Sequence, residues 1–179
     1  MSFFEHEFEA PIDRHGVGRT RKIWYNVVWL PADLAASLPF DRYPQLRIEG
    51  ELAEIPVENA FIPAGDGRYY LIVSPEVLKI GGLDVGDPVS FRFRVADQER
   101  VDLPADLQRA LARDPEGQER WQALTPGRRR ALAHHVGSAK GDDTRARRIA
   151  AVLSAITSCM RDGAEEKDVR RLDRVLGKR

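Results

Sequence analysis

A chain of 179 residues, 42% hydrophobic and 31% charged, has a globular composition and length enough for one good core, or one core with a helical satellite. No apolar run approaches the roughly 20 residues of a membrane span, and a single cysteine, Cys159, excludes an intramolecular disulfide. The net charge of zero conceals an asymmetry: residues 1–103 carry 11 Lys/Arg against 17 Asp/Glu, and residues 104–179 carry 17 against 11, so that −6 faces +6.

Met1 to Glu9 alternates Phe with Glu and lacks the basic and apolar regions of a signal peptide, so a soluble cytoplasmic protein is expected. Phe4, His6, Phe8 and Ala10 alternate with glutamates, the period of a half-buried strand. Arg14 to Arg19, with Gly16 and Gly18, reads as a turn into a second strand, Ile23 to Leu30. Pro31 opens a short helix, and Leu46 to Leu52 alternates again as a third strand. Ile55 to Ile62 and Tyr69 to Val73 read as two more, joined across Pro63 to Gly67. Ser74-Pro75 caps a second short helix that Gly81-Gly82 ends. Gly86-Asp87, a structural turn, leads into Val89 to Val95, where Val89, Phe91, Phe93 and Val95 share one face.

A degenerate repeat runs through this half. LPADLAASL followed by LRIEGEL parallels SPEVLKIGGL followed by VSFRFRV: strand, proline-led helix, strand, twice. Neither copy can bury its apolar face alone, so two copies interlocking in one chain predict a small, mainly antiparallel β-barrel. The second copy, PEVLKIGGLDVGDPVSF, resembles the swapped-hairpin unit of AbrB and MazE transcription factors, in which two chains each give half of a double-split barrel. With both copies present, the barrel is expected to be complete within one chain.

From Leu103 the pattern turns helical. Pro104 starts a helix with Leu107, Ala110 and Leu111 on one side, while Asp114-Pro115 and Thr125-Pro126 mark two further helix starts. Asp142 or Asp143 caps a fourth, in which Ile149, Val152, Leu153 and Ile156 form the apolar stripe. Cys159, in an apolar stretch, reads as a buried inert thiol. The charged remainder is either an amphipathic helix using Val169, Leu172 and Leu176 or a tail. The chain is thus α+β: barrel 1–100, helical module 101–160, charged helix or tail 161–179.

Val101 to Leu153 closely resembles the C-terminal module of the YdeI/OmpD-associated, or bacteriocin-protection, family. Its pattern falls on Asp106-Leu107, Trp121, Leu124-Thr125-Pro126, Ala139-Lys140 and Thr144 to Ile149. Residues 3–97 resemble the domain of unknown function 1905, through Leu30-Pro31, Gly50, Gly67, Leu71 and Gly86-Asp87. The resemblance names no reaction. It implies a cytoplasmic protein of this type, non-enzymatic and stress-related.

The chemistry-bearing residues give little more. His134 and His135 are adjacent on a helix, about 100° apart, and cannot chelate one ion together. His6 reads as a core histidine and His15 as a loop residue. Nucleophile elbow, P-loop and dinucleotide fingerprint are all missing, so no catalytic residue, metal ligand or cofactor is assigned. Arg128 to Arg130 fan over about 200° of a helix and read as a solvated surface. In Thr144-Arg145-Ala-Arg147-Arg148, Arg147 points away from the apolar face, Arg148 flanks it and Arg145 lies on it. Thr144 and Arg145 are therefore assigned structural roles. Lys140, Arg147 and Arg148 are the candidate anion or nucleic-acid contacts. A nucleic-acid-binding regulator is the alternative function, disfavoured because the barrel is acidic. An enzyme or small-molecule binder with a pocket between barrel and helices is the third.

Overall fold

The computed structural model describes residues 3–159, apart from the Cys159 side chain, and residues 172–177. The expectations for the Cys159 thiol and for Val169 lie outside the described residues. Two compact units divide at Gln98/Glu99. No described helix is long and apolar enough to cross a membrane.

The first unit contains six strands: β1 (His6–Val17), β2 (Ile23–Trp29), β3 (Leu46–Leu52), β4 (Ile55–Pro63), β5 (Tyr69–Ile72) and β6 (Pro88–Val95). All neighbours pair antiparallel, in the closed order β1-β2-β5-β4-β3-β6. Alternation sets which side chains face in. Leu46, Ile48 and Leu52 of β3 and Val89, Phe91 and Phe93 of β6 are buried, together with Ile12, Val28, Phe61 and Leu71. Exchanging β1 with β4, β2 with β5 and β3 with β6 leaves the ring order unchanged. The buried pair Ile12↔Val28 of β1–β2 then corresponds to the buried pair Phe61↔Leu71 of β4–β5.

Helix α1 (Ala32–Ser37) follows Pro31, whose fixed φ suits a helix entry. Helix α2 (Pro75–Gly81) starts at Ser74, whose Oγ accepts from Val77 N (3.2 Å). It ends at Gly82 with φ of 59°, and Leu83 N reaches back to Leu78 O (2.9 Å). The Gly86-Asp87 turn is tied to β1: Gly86 N donates to Ile12 O (2.7 Å) and Ile12 N to Asp87 O (2.9 Å).

One boundary differs from expectation. Arg14 to Val17 belong to β1, opposite Ile23 to Asn26 of β2, and the turn is confined to residues 18–22. β1 pairs with β6 through Pro11 and with β2 from Ile12 onward, so Arg14–Val17 and Ile23–Tyr25 form a two-stranded extension. A ribbon needs only its own ladder. The two glycines that suggested a turn are accommodated within and just beyond it.

The second unit contains α3 (Ala105–Ala112), α4 (Pro115–Ala123), α5 (Pro126–Gly137) and α6 (Asp142–Cys159). Asp114 Oδ1 accepts from Gly117 N (3.0 Å) and Thr125 Oγ1 from Arg128 N (3.4 Å), the two caps expected. Asp142 and Asp143 lie inside the first turn of α6 rather than before it, and Gly141 O accepts the first helical bond, from Arg145 N. α6 packs on α3, α4 and α5. Leu107, Leu111, Trp121, Leu132, Val136, Val152 and Ile156 are buried together with Leu172. Trp121, 1% exposed, is the largest of them.

Candidate functional site

The arginines of α6 are sorted by the helix period. Arg145 falls one turn before the buried stripe, with a side chain 27% exposed. Its Nη1 donates to Asp142 Oδ1 (3.2 Å) and Asp106 Oδ2 (3.4 Å), and its Nη2 to Ala139 O (3.0 Å). Asp106 is shared with Arg109. Arg148 Nη1 donates to His135 O (2.5 Å) and Ser138 Oγ (3.0 Å). Two guanidinium groups thus hold the C-terminal end of α5, where carbonyls lack helical partners and the dipole is negative. A cation is welcome there and an anion is not. Arg147 is exposed, with Nη2 donating to Thr144 Oγ1 (3.3 Å), and Lys140 is exposed in the α5–α6 connection. Of the three candidate anion contacts, Arg148 is therefore engaged, while Lys140 and Arg147 face solvent.

Burial pushes the His135 pKa below its ordinary value, helped by the nearby charges of Arg148 and His134. The Arg128–Arg130 run is half-buried rather than solvated. Arg129 is 17% exposed; its Nη1 donates to Gln122 Oε1 (3.1 Å) and its Nη2 lies 3.9 Å from Glu99 Oε2. Arg130 Nη1 donates to Arg100 O (3.3 Å). The segment before α3 covers these side chains, which no helical projection shows.

On the barrel, two cross-strand ion pairs join β3 to β6. Arg94 meets Glu49 at 2.6 Å and Arg92 meets Glu51 at 2.7 Å, both in register across β3–β6. Asp66 accepts from Arg68 in the β4–β5 turn, which holds its carboxyl below the ordinary range. His6 packs on Phe93 with ring centroids 5.0 Å apart. His15 is a strand residue, not a loop residue: its ring lies 5.0 Å from Trp29 and 4.8 Å from Tyr70. Trp29 Nε1 donates to Asp13 Oδ2 (2.9 Å), and the Arg68 guanidinium stands 4.0 Å above the Trp29 ring. Burial raises the Tyr70 pKa, with Tyr25 adding to it.

At the outer part of the β1–β2 ribbon, several cations surround an exposed aromatic; the basic residues Arg19, Arg21 and Lys22 stand out in the sequence, which gives them no interpretation. Trp24 is 55% and Ile23 56% exposed. Trp24 pairs with Gly16, and a Cβ on Gly16 would stand 3.3 Å from the Trp24 ring, so the ring lies against backbone. Arg14 lies 5.6 Å and Lys22 5.9 Å from its centroid. Arg14, Arg19, Arg21 and Lys22 are all exposed, and no carboxylate occurs between Asp13 and Asp33. None of the four forms an ion pair among the described residues. The clue available beforehand was this basic run beside an aromatic strand.

Among the described residues, no three His, Cys, Asp or Glu side chains are gathered to hold a metal. A groove of about 370 Å³ lies between α1 and the start of β5, lined by Leu30, Ala35, Phe40 and Tyr69 among others. It is mostly apolar and carries no acid–base pair.

No curated protein matches the sequence. Two family models do: Domain of unknown function (DUF1905) over residues 8–93 of the barrel, and Bacteriocin-protection, YdeI or OmpD-Associated over residues 100–158 of the helical unit. The chain is a DUF1905 domain followed by a domain of the YdeI/OmpD-associated family.

Proposed function

We propose that this protein is a non-enzymatic cytoplasmic binding protein whose barrel engages an anionic partner through the outer end of the β1–β2 ribbon. One observation carries this reading: exposed Trp24 and Ile23 sit among four exposed cations that have no carboxylate partner among the described residues. The two arginines of β6, by contrast, are each drawn into a pair with a carboxylate, Arg92 with Glu51 and Arg94 with Glu49. A Trp left in water beside unneutralised cations fits a surface awaiting a partner. The exchange symmetry of the ring supports a second element of the proposal. The barrel corresponds to a fused pair of the half-barrel units that AbrB- and MazE-type factors assemble from two chains, and it acts as a monomer.

Titration of the full chain with heparin, a generic polyanion, at low salt tests the first element. Binding should weaken steeply as salt rises. Reversing Arg19 and Arg21 to Glu should abolish it, and reversing Lys140 and Arg147 should leave it intact. Absence of heparin binding, or binding that depends on the helical pair, would overturn the proposal.

A further inference from the structure

We infer that the partner of the β1–β2 ribbon is single-stranded nucleic acid, with Trp24 as a base-stacking platform and Arg14 and Lys22 as its phosphate contacts. This rests on the reading of the ribbon as an anion-binding surface and adds the class of the anion.

The geometry of one ribbon face carries the inference. Side chains alternate along a strand, so Trp24 and Asn26 of β2 share a face with Gly16 and Arg14 of β1, and Lys22, at the end of the turn, lies 5.9 Å from the indole centroid. Gly16 supplies a flat backbone floor for the indole, and more than half of Trp24 remains exposed. The open side of the ring therefore faces outward. Arg14, opposite Asn26, lies on the barrel side of the ring, and Lys22 lies toward the tip. A base stacked on the indole would have a cation at each end, where the flanking phosphates of its strand run. This aromatic-and-cation arrangement is how proteins hold single strands without reading their sequence, because every base has a π-face.

The acidic character of residues 1–103 does not oppose this. Their −6 is a sum over the whole barrel. The ribbon tip extends about 10 Å beyond Asp13 at strand rise, past a screening length of about 8 Å at physiological salt. The local field there is set by Arg19, Arg21 and Lys22. Two other anions fit less well. Duplex DNA offers a ribbon its groove edges, which are read by hydrogen-bonding side chains, and its bases are already stacked. A membrane surface calls for one apolar face, whereas Val17 and Ile23 pair on the side opposite Trp24.

The test is fluorescence anisotropy of a short labelled oligothymidylate with the full chain at low salt, with matched duplex DNA, heparin and phosphatidylserine vesicles as separate arms. The single strand should bind, quench tryptophan emission, and outcompete the duplex. Its affinity should fall with salt at a log–log slope of about −2 to −3, for three to four phosphates neutralised by Arg14 and Lys22 together with Arg19 and Arg21. Trp24→Ala should weaken it by about tenfold or more, and Arg14→Ala with Lys22→Ala should flatten the salt slope. Circular dichroism melting of each variant should match the parent, since these side chains are exposed. Heparin binding without oligonucleotide binding would overturn this inference and leave the proposed function standing. Equal affinity for duplex, indifference to Trp24→Ala, or vesicle binding in place of the oligonucleotide would each overturn it too. Failure of every arm would remove both.

Discussion

Gly50 on β3 faces Phe93 on β6 with no room for a side chain: a Cβ there would lie 2.8 Å from the Phe93 Cβ and 2.4 Å from the Arg92 carbonyl oxygen. The clash is with backbone, so no rotamer change relieves it. Phe93 cannot yield either, since it packs on Phe61 with ring centroids 5.2 Å apart in the middle of the barrel core. Gly50→Ala should therefore destabilise the barrel by about 1–3 kcal/mol, the usual cost of overpacking a close-packed site. Urea denaturation followed by circular dichroism measures it. Gly65→Ala is a useful contrast: its added Cβ meets nothing within 4 Å, but its φ of 88° disfavours a side chain, so the cost is conformational.

Gln98 extends the β3–β6 ladder with its side chain. Its Nε2 donates to Arg47 O (2.9 Å) and Ala96 O (2.7 Å), and its Oε1 accepts from Arg47 N (3.1 Å). The last paired residues are Ile48 and Val95, so the amide takes the place of a next strand residue. Gln98→Ala removes the acceptor of Arg47 N, while Arg47 O keeps its bond from Ala96 N, and should cost about 1–3 kcal/mol. Hydrogen exchange should report the loss locally, as faster exchange of the Arg47 amide than of the Phe91 amide.

Much of the barrel is legible in the sequence because it depends on local signals. LRIEGEL alternates with the period of a strand buried on one side, and β3 spans Leu46–Leu52. Ser74-Pro75 and Thr125-Pro126 announce helix starts through chemistry that acts within one turn. Features set by distant partners are not legible. Gly16 reads as a turn residue until Trp24 is laid across it, and Arg129 reads as solvated until Glu99 and Gln122 are brought beside it. The ribbon site fails in a third way. Charge summed over a domain hides a small region of opposite sign, whose arrangement emerges when the register puts Arg14 and Trp24 on one face and the turn brings Lys22 beside the ring.

The arginines of α6 offer a paired comparison on one helix. Arg145 makes three charge-assisted contacts that join α3, the end of α5 and the start of α6, whereas Arg147 touches Thr144. Arg145→Ala would leave Asp106 with Arg109 alone and remove a donor from Ala139 O. A loss of about 1.5–3 kcal/mol is expected, the range for bonds to charged groups. Arg147→Ala should stay within about 0.5 kcal/mol, as surface substitutions do. Thermal melts of the two variants decide it; equal costs would show that the α5–α6 corner does not depend on Arg145.

The same corner should make stability depend on pH. Burial, Arg148 and His134 lower the His135 pKa in the folded state below its ordinary 6.5, so the unfolded chain binds a proton there more readily. Stability from His135 is fully present above pH 6.5, where the ring is neutral in both states. It is lost as pH falls from that value through the folded-state pKa, because protonation favours the unfolded chain. Arg148 supplies both the repelling charge and the hydrogen bond to His135 O, so acid should loosen the contact that clamps the end of α5. The carboxylates facing this corner, Asp106 and Asp142, are paired with Arg145 and do not offset the repulsion at His135. His135→Gln keeps a polar side chain and removes the titration. Melting temperatures of parent and variant taken from pH 8 to pH 5 should therefore run in parallel above about pH 7 and converge or cross below about pH 6, as the parent loses stability. A constant offset across the whole range would mean that His135 titrates alike in both states, and that the α5 end is not acid-sensitive.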